Sequence, residues 1–223
     1  MSETTGCATV STPDGYRLGA VGRVVPGIDV RLASDGEIFV RGPIVFLGYL
    51  QGDGTVQSVL DGEGWLATGD VGTLDDEGYL TITDRKKELI ITSSGKNIAP
   101  TKIEGLLRAH PLVSQAIAVG DRRPFVTALI ALDEEAAPAW AAAHGSSATT
   151  VAELSADPAV LAELDGLVAS VNERLARAEQ LKSYRVLPAP WSPETGELTP
   201  TLKLRRKVVL DLYGDVVEPM YSA

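Results

Sequence analysis

Cysteine occurs once in the 223 residues, at Cys7, so no internal disulfide can staple the chain, which fits a reducing, cytoplasmic setting. Histidine occurs twice, at His110 and His144, too far apart to seed a metal-ligand cluster. No run approaches the roughly 18 apolar residues of a membrane span, and no basic-then-apolar export signal opens the chain. Positive charge is short as well. Twenty Lys and Arg against 30 Asp and Glu leave a net charge of -10, which argues against nucleic acid as a partner. The basic residues gather in two runs, 85–87 and 203–207. Two local patches on an acidic chain suit a small anionic ligand better than a duplex, and the second leaves room for peripheral contact with anionic lipid at the inner membrane face. Solvated loop and helix faces are the plainer reading. What remains is ordinary: 44% hydrophobic and 22% charged residues, in a length sufficient for one large domain or two small ones.

The pattern changes character along the chain and predicts an α+β protein. Residues 1–83 read as β-rich. Alternating runs at 27–32 and 36–42 are bounded by glycines, and 71–74 and 79–83 flank a turn-rich Asp75-Asp76-Glu77-Gly78, which suggests a hairpin. Turn signals about every ten residues predict a small barrel or a strongly bent sheet. From Asp84 onward the pattern is mixed α/β. A short strand is expected at 89–92, and Thr101 should head a helix with Glu104 at capping-box spacing and Ile103, Leu106 and Leu107 on one face. Strands are expected at 113–119 and 125–132. The Ala-rich 136–148 piece reads as a surface helix and loop. The strongest helix covers 159–180, capped by Asp157 with Pro158 in its first turn, and a shorter one covers 203–212. Two domains joined near 84–87 are predicted.

The most informative stretch is 64–104, GWLATGDVGTLDDEGYLTITDRKKELIITSSGKNIAPTKIE. It places Asp70 after a Thr-Gly turn, then a strand pair, a charged knot at Asp84-Arg85-Lys86-Lys87, a Gly turn and a helix start. This order resembles the core signature of the adenylate-forming enzymes, the superfamily of acyl-CoA synthetases, luciferases and peptide-synthetase adenylation domains. Two further segments extend the resemblance. Ser2-Glu3 matches the end of the family's Tyr-Gly-x-(Ser/Thr)-Glu motif, without its Tyr-Gly half. Leu198-Thr199-Pro200-Thr201-Leu202-Lys203 resembles the family's Gly-Lys ending, with Leu202 in place of the usual glycine. That form, and a Lys87-to-Gly95 spacing one residue longer than in the acetate-activating and luciferase branches, is similar to long-chain fatty acid–CoA ligases.

The resemblance implies a two-step reaction. ATP activates a fatty acid to acyl-AMP with release of pyrophosphate, and the acyl group then passes to the CoA thiol. Two anions meet in the first step, so positive charge must be delivered to the reacting centre. By resemblance, Ser2 contacts phosphate and Glu3 helps to hold Mg²⁺, a hard cation suited to carboxylate. Asp70 accepts from the ribose hydroxyls, and Arg85 contacts the nucleotide. Lys87 is the hinge about which the small domain rotates, Ser94 and Gly95 line the pantetheine tunnel, and Lys203 enters the active site during adenylation. Lys207 is the competing lysine within its motif. Asn97 stands where the acetate branch has an arginine and inherits no phosphate role, and Trp65 reads as core.

Read on the residues alone, a Ser-Glu pair at a terminus, a Gly-Asp turn and an exposed basic helix all have bland explanations. No Ser/Thr/Gly-rich phosphate loop ending in lysine occurs in the 223 residues. The chain is therefore expected to comprise, at 1–83, the terminal subdomain of a large adenylation domain. A hinge at 84–87 and a complete small C-terminal domain at 88–223 follow. The missing large domain would be its partner, and the chain is expected to be inactive alone. A fatty acyl-AMP ligase that loads a carrier-protein thiol, and a non-catalytic interaction module, are the alternative readings.

Overall fold

The computed structural model describes residues 1–222, which fall into two compact units, Met1–Glu88 and a second from Leu89 onward. The mixed sheets and helices agree with the expected α+β class. No helix among the described residues is long and apolar enough to cross a membrane.

The first unit is built on four antiparallel strands. They are β3 (Asp29–Leu32), β4 (Glu37–Arg41), β7 (Leu66–Leu74) and β8 (Leu80–Arg85), in the order β3-β4-β7-β8. Alternation decides which face is covered. Ile38 and Val40 of β4 point inward with Leu80 and Ile28, and these four form the unit's core. Glycine at 36, with φ of 83°, makes the tight turn between β3 and β4. Asp75 closes the β7–β8 hairpin by accepting from the amides of Glu77 and Tyr79. Trp65 is buried, as expected of a core residue, with Arg31 and Arg41 over its ring at 4.6 and 4.5 Å from the centroid. Two ribbons of two-residue strands complete the unit, β1 (Thr9–Val10) with β2 (Arg23–Val24) and β5 (Tyr49–Leu50) with β6 (Val56–Gln57).

The expected barrel does not close among the described residues. The outer side of β8 meets the β1–β2 ribbon through one bridge, Arg23 to Tyr79, and two backbone bonds around Leu80. Strands of two residues are too short to continue the ladder, so the sheet stays open.

The second unit is layered. A ribbon of β9 (Ile90–Ile91) and β10 (Asn97–Ile98) leads into α1 (Pro100–Arg108). A three-stranded sheet follows, β11 (Val113–Val119), β12 (Val126–Leu132) and β13 (Leu181–Leu187), in that order. β12 is antiparallel to β11 and parallel to β13. All seven residues of β12 are buried, as a central strand covered on both faces requires. One face carries α1 and α4 (Pro158–Glu173) through Ile103, Leu107, Val160 and Leu164. The other carries α5 (Arg206–Leu212) and α6 (Gly214–Val217) through Val209 and Val217, with Trp191. Between β12 and α4 lie α2 (Ala136–Ala143), which buries Ala137 and Ala141, and the short α3 (Val151–Leu154).

Three sequence expectations change here. Thr101 does not cap α1: Ala99 is the N-cap, Pro100 occupies the first turn, and the buried Glu104 accepts from the Ala118 amide. The helix expected at 159–180 stops at Glu173. Asn172 breaks it with its side-chain amide, which donates through Nδ2 to the Leu181 carbonyl and accepts at Oδ1 from the Leu181 amide; Leu181 starts β13, a strand the polar run Lys182-Ser183-Tyr184-Arg185 concealed. Asp157 does cap that helix, accepting from the amides of Ala159 and Val160. The last basic helix begins at Arg206, which leaves Lys203 in the loop before it.

Candidate active site

In the first unit, Asp70 lies on β7 directly opposite Arg85 on β8. Local chemistry fixes it there. Gly69 adopts φ of 71°, a left-handed conformation that L side chains resist, and its amide donates to Glu37 Oε1 at 3.2 Å. The Asp70 amide donates to Thr68 Oγ1 at 3.1 Å, while that hydroxyl donates to the Ile38 carbonyl at 2.8 Å. Arg85 Nε reaches Asp70 Oδ1 at 2.8 Å, with the aspartate side chain 17% exposed and the arginine 61%. An ion pair so open to water contributes little to stability and is easily exchanged for a ligand.

Glu3 enters the same neighbourhood from a 3-10 turn, Ser2–Thr4. Its carbonyl accepts from the Phe46 amide at 2.8 Å, and its carboxylate accepts from the Tyr49 hydroxyl at 2.9 Å. Its own backbone amide and the Tyr49 hydroxyl hold the Glu3 carboxyl below the usual range, and the Arg85 charge adds to this. Tyr49, donating to that carboxylate, is pushed up in turn. Glu3, Tyr49, Glu37, Thr68, Arg85 and Lys87 line one cleft of about 430 Å³. That volume is within the range of small-molecule sites. Asp70 lines a second, smaller cavity of about 220 Å³, which shares Met1 and Thr68 with the first. Ser2 is exposed and lines neither. No group of three His, Cys, Asp or Glu side chains among the described residues could hold a metal ion. A single ionised carboxylate at a cleft is nevertheless a donor suited to Mg²⁺, which takes most of its oxygens from water and substrate phosphate.

In the second unit, Ser94 and Gly95 form the turn between β9 and β10. The Gly95 amide donates to the Thr92 carbonyl at 2.8 Å, and Thr92 Oγ1 lies 3.0 Å from Ser94 Oγ. Gly95 has φ of 77°, and a Cβ there would meet nothing within 4 Å. Backbone conformation, rather than close approach of another group, is what requires glycine. Lys203 sits in a loop whose ends are bridged at Leu198 and Leu204. Its amide donates to Thr199 Oγ1 at 3.0 Å and its carbonyl accepts from the Thr199 amide at 2.8 Å. The residue before it, Leu202, holds φ of 60°, a conformation uncommon for leucine. The Lys203 side chain is exposed, and no hydrogen bond or ion pair engages its ammonium among the described residues. Lys207 is exposed on α5.

The sequence did not single out Glu37, Tyr49 or Thr68, which support Asp70 and Glu3. Thr68 is the threonine of the Thr-Gly-Asp turn and could have been suspected. Glu37 is brought in by the pairing of β4 with β7 and Tyr49 by the chain near Phe46 binding the Glu3 carbonyl, each from more than 30 residues away, and neither carries a local signal.

The family model of the AMP-binding enzyme C-terminal domain matches residues 87–223. Over its whole length the chain is 44% identical to the long-chain-fatty-acid–CoA ligase FadD15 of Mycobacterium tuberculosis (strain ATCC 25618 / H37Rv), covering 37% of that protein. It is 38% identical to the long-chain-fatty-acid–CoA ligase ACSBG1 of Rattus norvegicus, covering 34% of it. The chain thus spans just over a third of the length of these curated relatives. Among solved structures it is similar to o-succinylbenzoate CoA synthetase (MenE) from Bacillus subtilis in complex with the acyl-adenylate intermediate OSB-AMP. That match has a TM-score of 0.67 and 26% identity over 94% of this chain and 39% of the synthetase.

Proposed function

The chain belongs to the AMP-binding enzyme C-terminal domain family, and we propose that it is the C-terminal part of a long-chain fatty acid–CoA ligase. The observation that carries this reading is the grouping of Glu3, Arg85 and Lys87 around one cleft, with Asp70 tied to Arg85 across two strands. Residues 1–83 act as the end of a larger adenylation domain, whose bent sheet takes the part of the barrel-like terminal subdomain. Residues 84–87 act as hinge, and the remainder as the mobile small domain.

In this reading Asp70 accepts from both ribose hydroxyls of ATP. The exposed Arg85 pair breaks at little cost when nucleotide arrives, leaving the guanidinium free for phosphate or ribose oxygen. Glu3, held below the usual carboxyl range by its own backbone amide and the Tyr49 hydroxyl, would supply a carboxylate for Mg²⁺, which when bound would offset phosphate charge. Ser2, next to it in the chain, would donate its hydroxyl to a phosphate oxygen. Lys203, exposed on its loop, brings the positive charge that the meeting of carboxylate and α-phosphate demands. For the second half-reaction the chain swings about Lys87, and the Ser94-Gly95 turn lines the passage for the CoA pantetheine arm. ATP, a fatty acid and CoA are then the ligands of the whole protein, and the setting is cytoplasmic.

The test uses the longer ligase that contains this chain, with Lys203→Ala, and follows the half-reactions separately. Pyrophosphate exchange should collapse while a supplied acyl-adenylate still transfers to CoA. Survival of both steps would refute the reading. The 223 residues by themselves should consume no ATP with palmitate and CoA.

A further inference from the structure

Glu104 and Arg206 lie 102 residues apart in sequence, yet they form one of the most buried ion pairs in the second unit. Arg206 Nη2 approaches Glu104 Oε1 at 2.8 Å and Oε2 at 3.0 Å, with side-chain exposures of 17% and 6%. Both groups also serve the backbone of β11. Glu104 Oε1 accepts from the Ala118 amide at 2.8 Å, and Arg206 Nη1 donates to the Ala118 carbonyl at 3.2 Å. β11 is an edge strand, so Ala118 turns an amide and a carbonyl away from β12, and burial obliges both to find partners. The ion pair supplies them, and in doing so it pins the start of α5 to α1 and β11.

Arg206 is three residues from Lys203. The Lys203 loop is tied across its base, where the Arg205 amide donates to the Glu197 carbonyl and the Tyr213 hydroxyl donates to the buried Glu197 carboxylate. We infer that the Glu104–Arg206 pair is a positioning device. It fixes the root of the Lys203 loop in the frame of α1 and β11, so that the lysine ammonium is delivered to one place. This rests on the reading of Lys203 as the adenylation lysine. Arg206 itself, buried against Glu104, does not reach substrate. The rigid guanidinium fork suits this place, because Nη2 takes the carboxylate while Nη1 takes the Ala118 carbonyl, and the flexible lysine ammonium fixes no such pair of directions.

The experiment compares Arg206→Met, Arg206→Lys and Glu104→Gln in the longer ligase, beside Lys203→Ala and a control on the other side of α1, Lys102→Met, whose own side chain is exposed to water while it pairs with Glu179. Two readouts are taken. Hydrogen exchange follows the Lys203 and Arg205 amides against those of β12. Kinetics follow kcat and KM for adenylate formation and, separately, transfer from supplied acyl-adenylate. Arg206→Met should speed exchange at Lys203 and Arg205, leave β12 protected, and lower the adenylation kcat by about tenfold or more. Its KM for ATP should stay within about twofold and its transfer rate near the parent's, as expected of a lost positioning contact. Arg206→Lys should recover part of the loss, Glu104→Gln, which keeps the Ala118 bond, should be milder, and Lys102→Met should match the parent. If Arg206→Met does not fold, the Arg206→Lys and Glu104→Gln variants carry the same comparison. An unchanged loop exchange, or full adenylation in a variant whose loop has loosened, overturns the positioning role. An inactive Lys203→Ala beside fully active Arg206 variants sinks the pair alone, whereas an active Lys203→Ala sinks the reading of the lysine and the positioning role with it.

Discussion

Adding one methyl group at Gly72 should do far more damage than adding the same group at Gly105. Gly72 is buried in β7 where its register with β8 slips, two residues after Asp70. A Cβ there would stand 2.3 Å from the Thr81 carbonyl oxygen and 3.0 Å from Ile38 Cδ1. The oxygen is backbone and cannot rotate aside, so β7 and β8 must part. Overpacking of this kind costs about 1–3 kcal/mol, and a weakened ladder bond about 1 more, giving about 2–4 kcal/mol for Gly72→Ala. In a unit of this size each kcal/mol moves the midpoint by about 4–8 °C, so the first unit's Tm should fall by about 8–32 °C. Gly105 is exposed in the interior of α1 with nothing within 4 Å of its Cβ position. Gly105→Ala should therefore stabilise the second unit by about 0.5–1 kcal/mol through helix propensity and a less free unfolded chain. Scanning calorimetry of the two variants against the parent measures both. A Gly72→Ala penalty under about 1 kcal/mol, or the same sign for both changes, would refute the reasoning that close approach rather than residue type decides the cost.

Three other perturbations follow from the geometry. Leu202→Gly should stabilise the second unit by about 0.5–1 kcal/mol in urea denaturation, since left-handed φ costs a leucine about 1–2 kcal/mol and glycine's extra unfolded freedom returns only part of that. Leu202→Val should lose stability in the same assay, because a branched β-carbon suits that conformation least. Tyr49→Phe should raise the Glu3 pKa in an NMR titration, because the hydroxyl that favours the carboxylate is gone. The parent's lowered value means that Glu3 contributes stability above the ordinary carboxyl pKa and loses it as pH falls through the lowered one, so the variant should be less acid-sensitive in that window. Asp157→Ala should speed hydrogen exchange at Ala159 and Val160 while the centre of α4 stays protected. The Ser146 hydroxyl and then those two amides hold the Asp157 carboxyl below its usual range, so acidification of the parent should reproduce the fraying.

How much was legible in the sequence differs between strands, helix ends and site. The alternating runs around Ile38 and Val40, the apolar 126–132 run and the Asp157 cap are local signals, and the structure keeps them. β13 was hidden because it is an edge strand with a polar outer rim. The premature end of α4 was hidden because Asn172 takes its partners from Leu181, nine residues ahead. The barrel was overread because regular turn spacing signals short strands without saying whether their ladders meet.

The sequence by itself determined the chemistry on offer: which carboxylates, arginines and lysines stand in which motif, and where glycine is needed for a turn. Those properties follow from residue type and short-range spacing. Tertiary structure alone decided what each group touches. It set Asp70 against Arg85, gave Glu3 its Tyr49 donor, and turned Glu104 from an expected helix cap into the buried partner of Arg206. Such pairings depend on which strand edges and helix faces are brought together over tens of residues. Burial then makes an unpaired polar group costly, so the fold selects the partner.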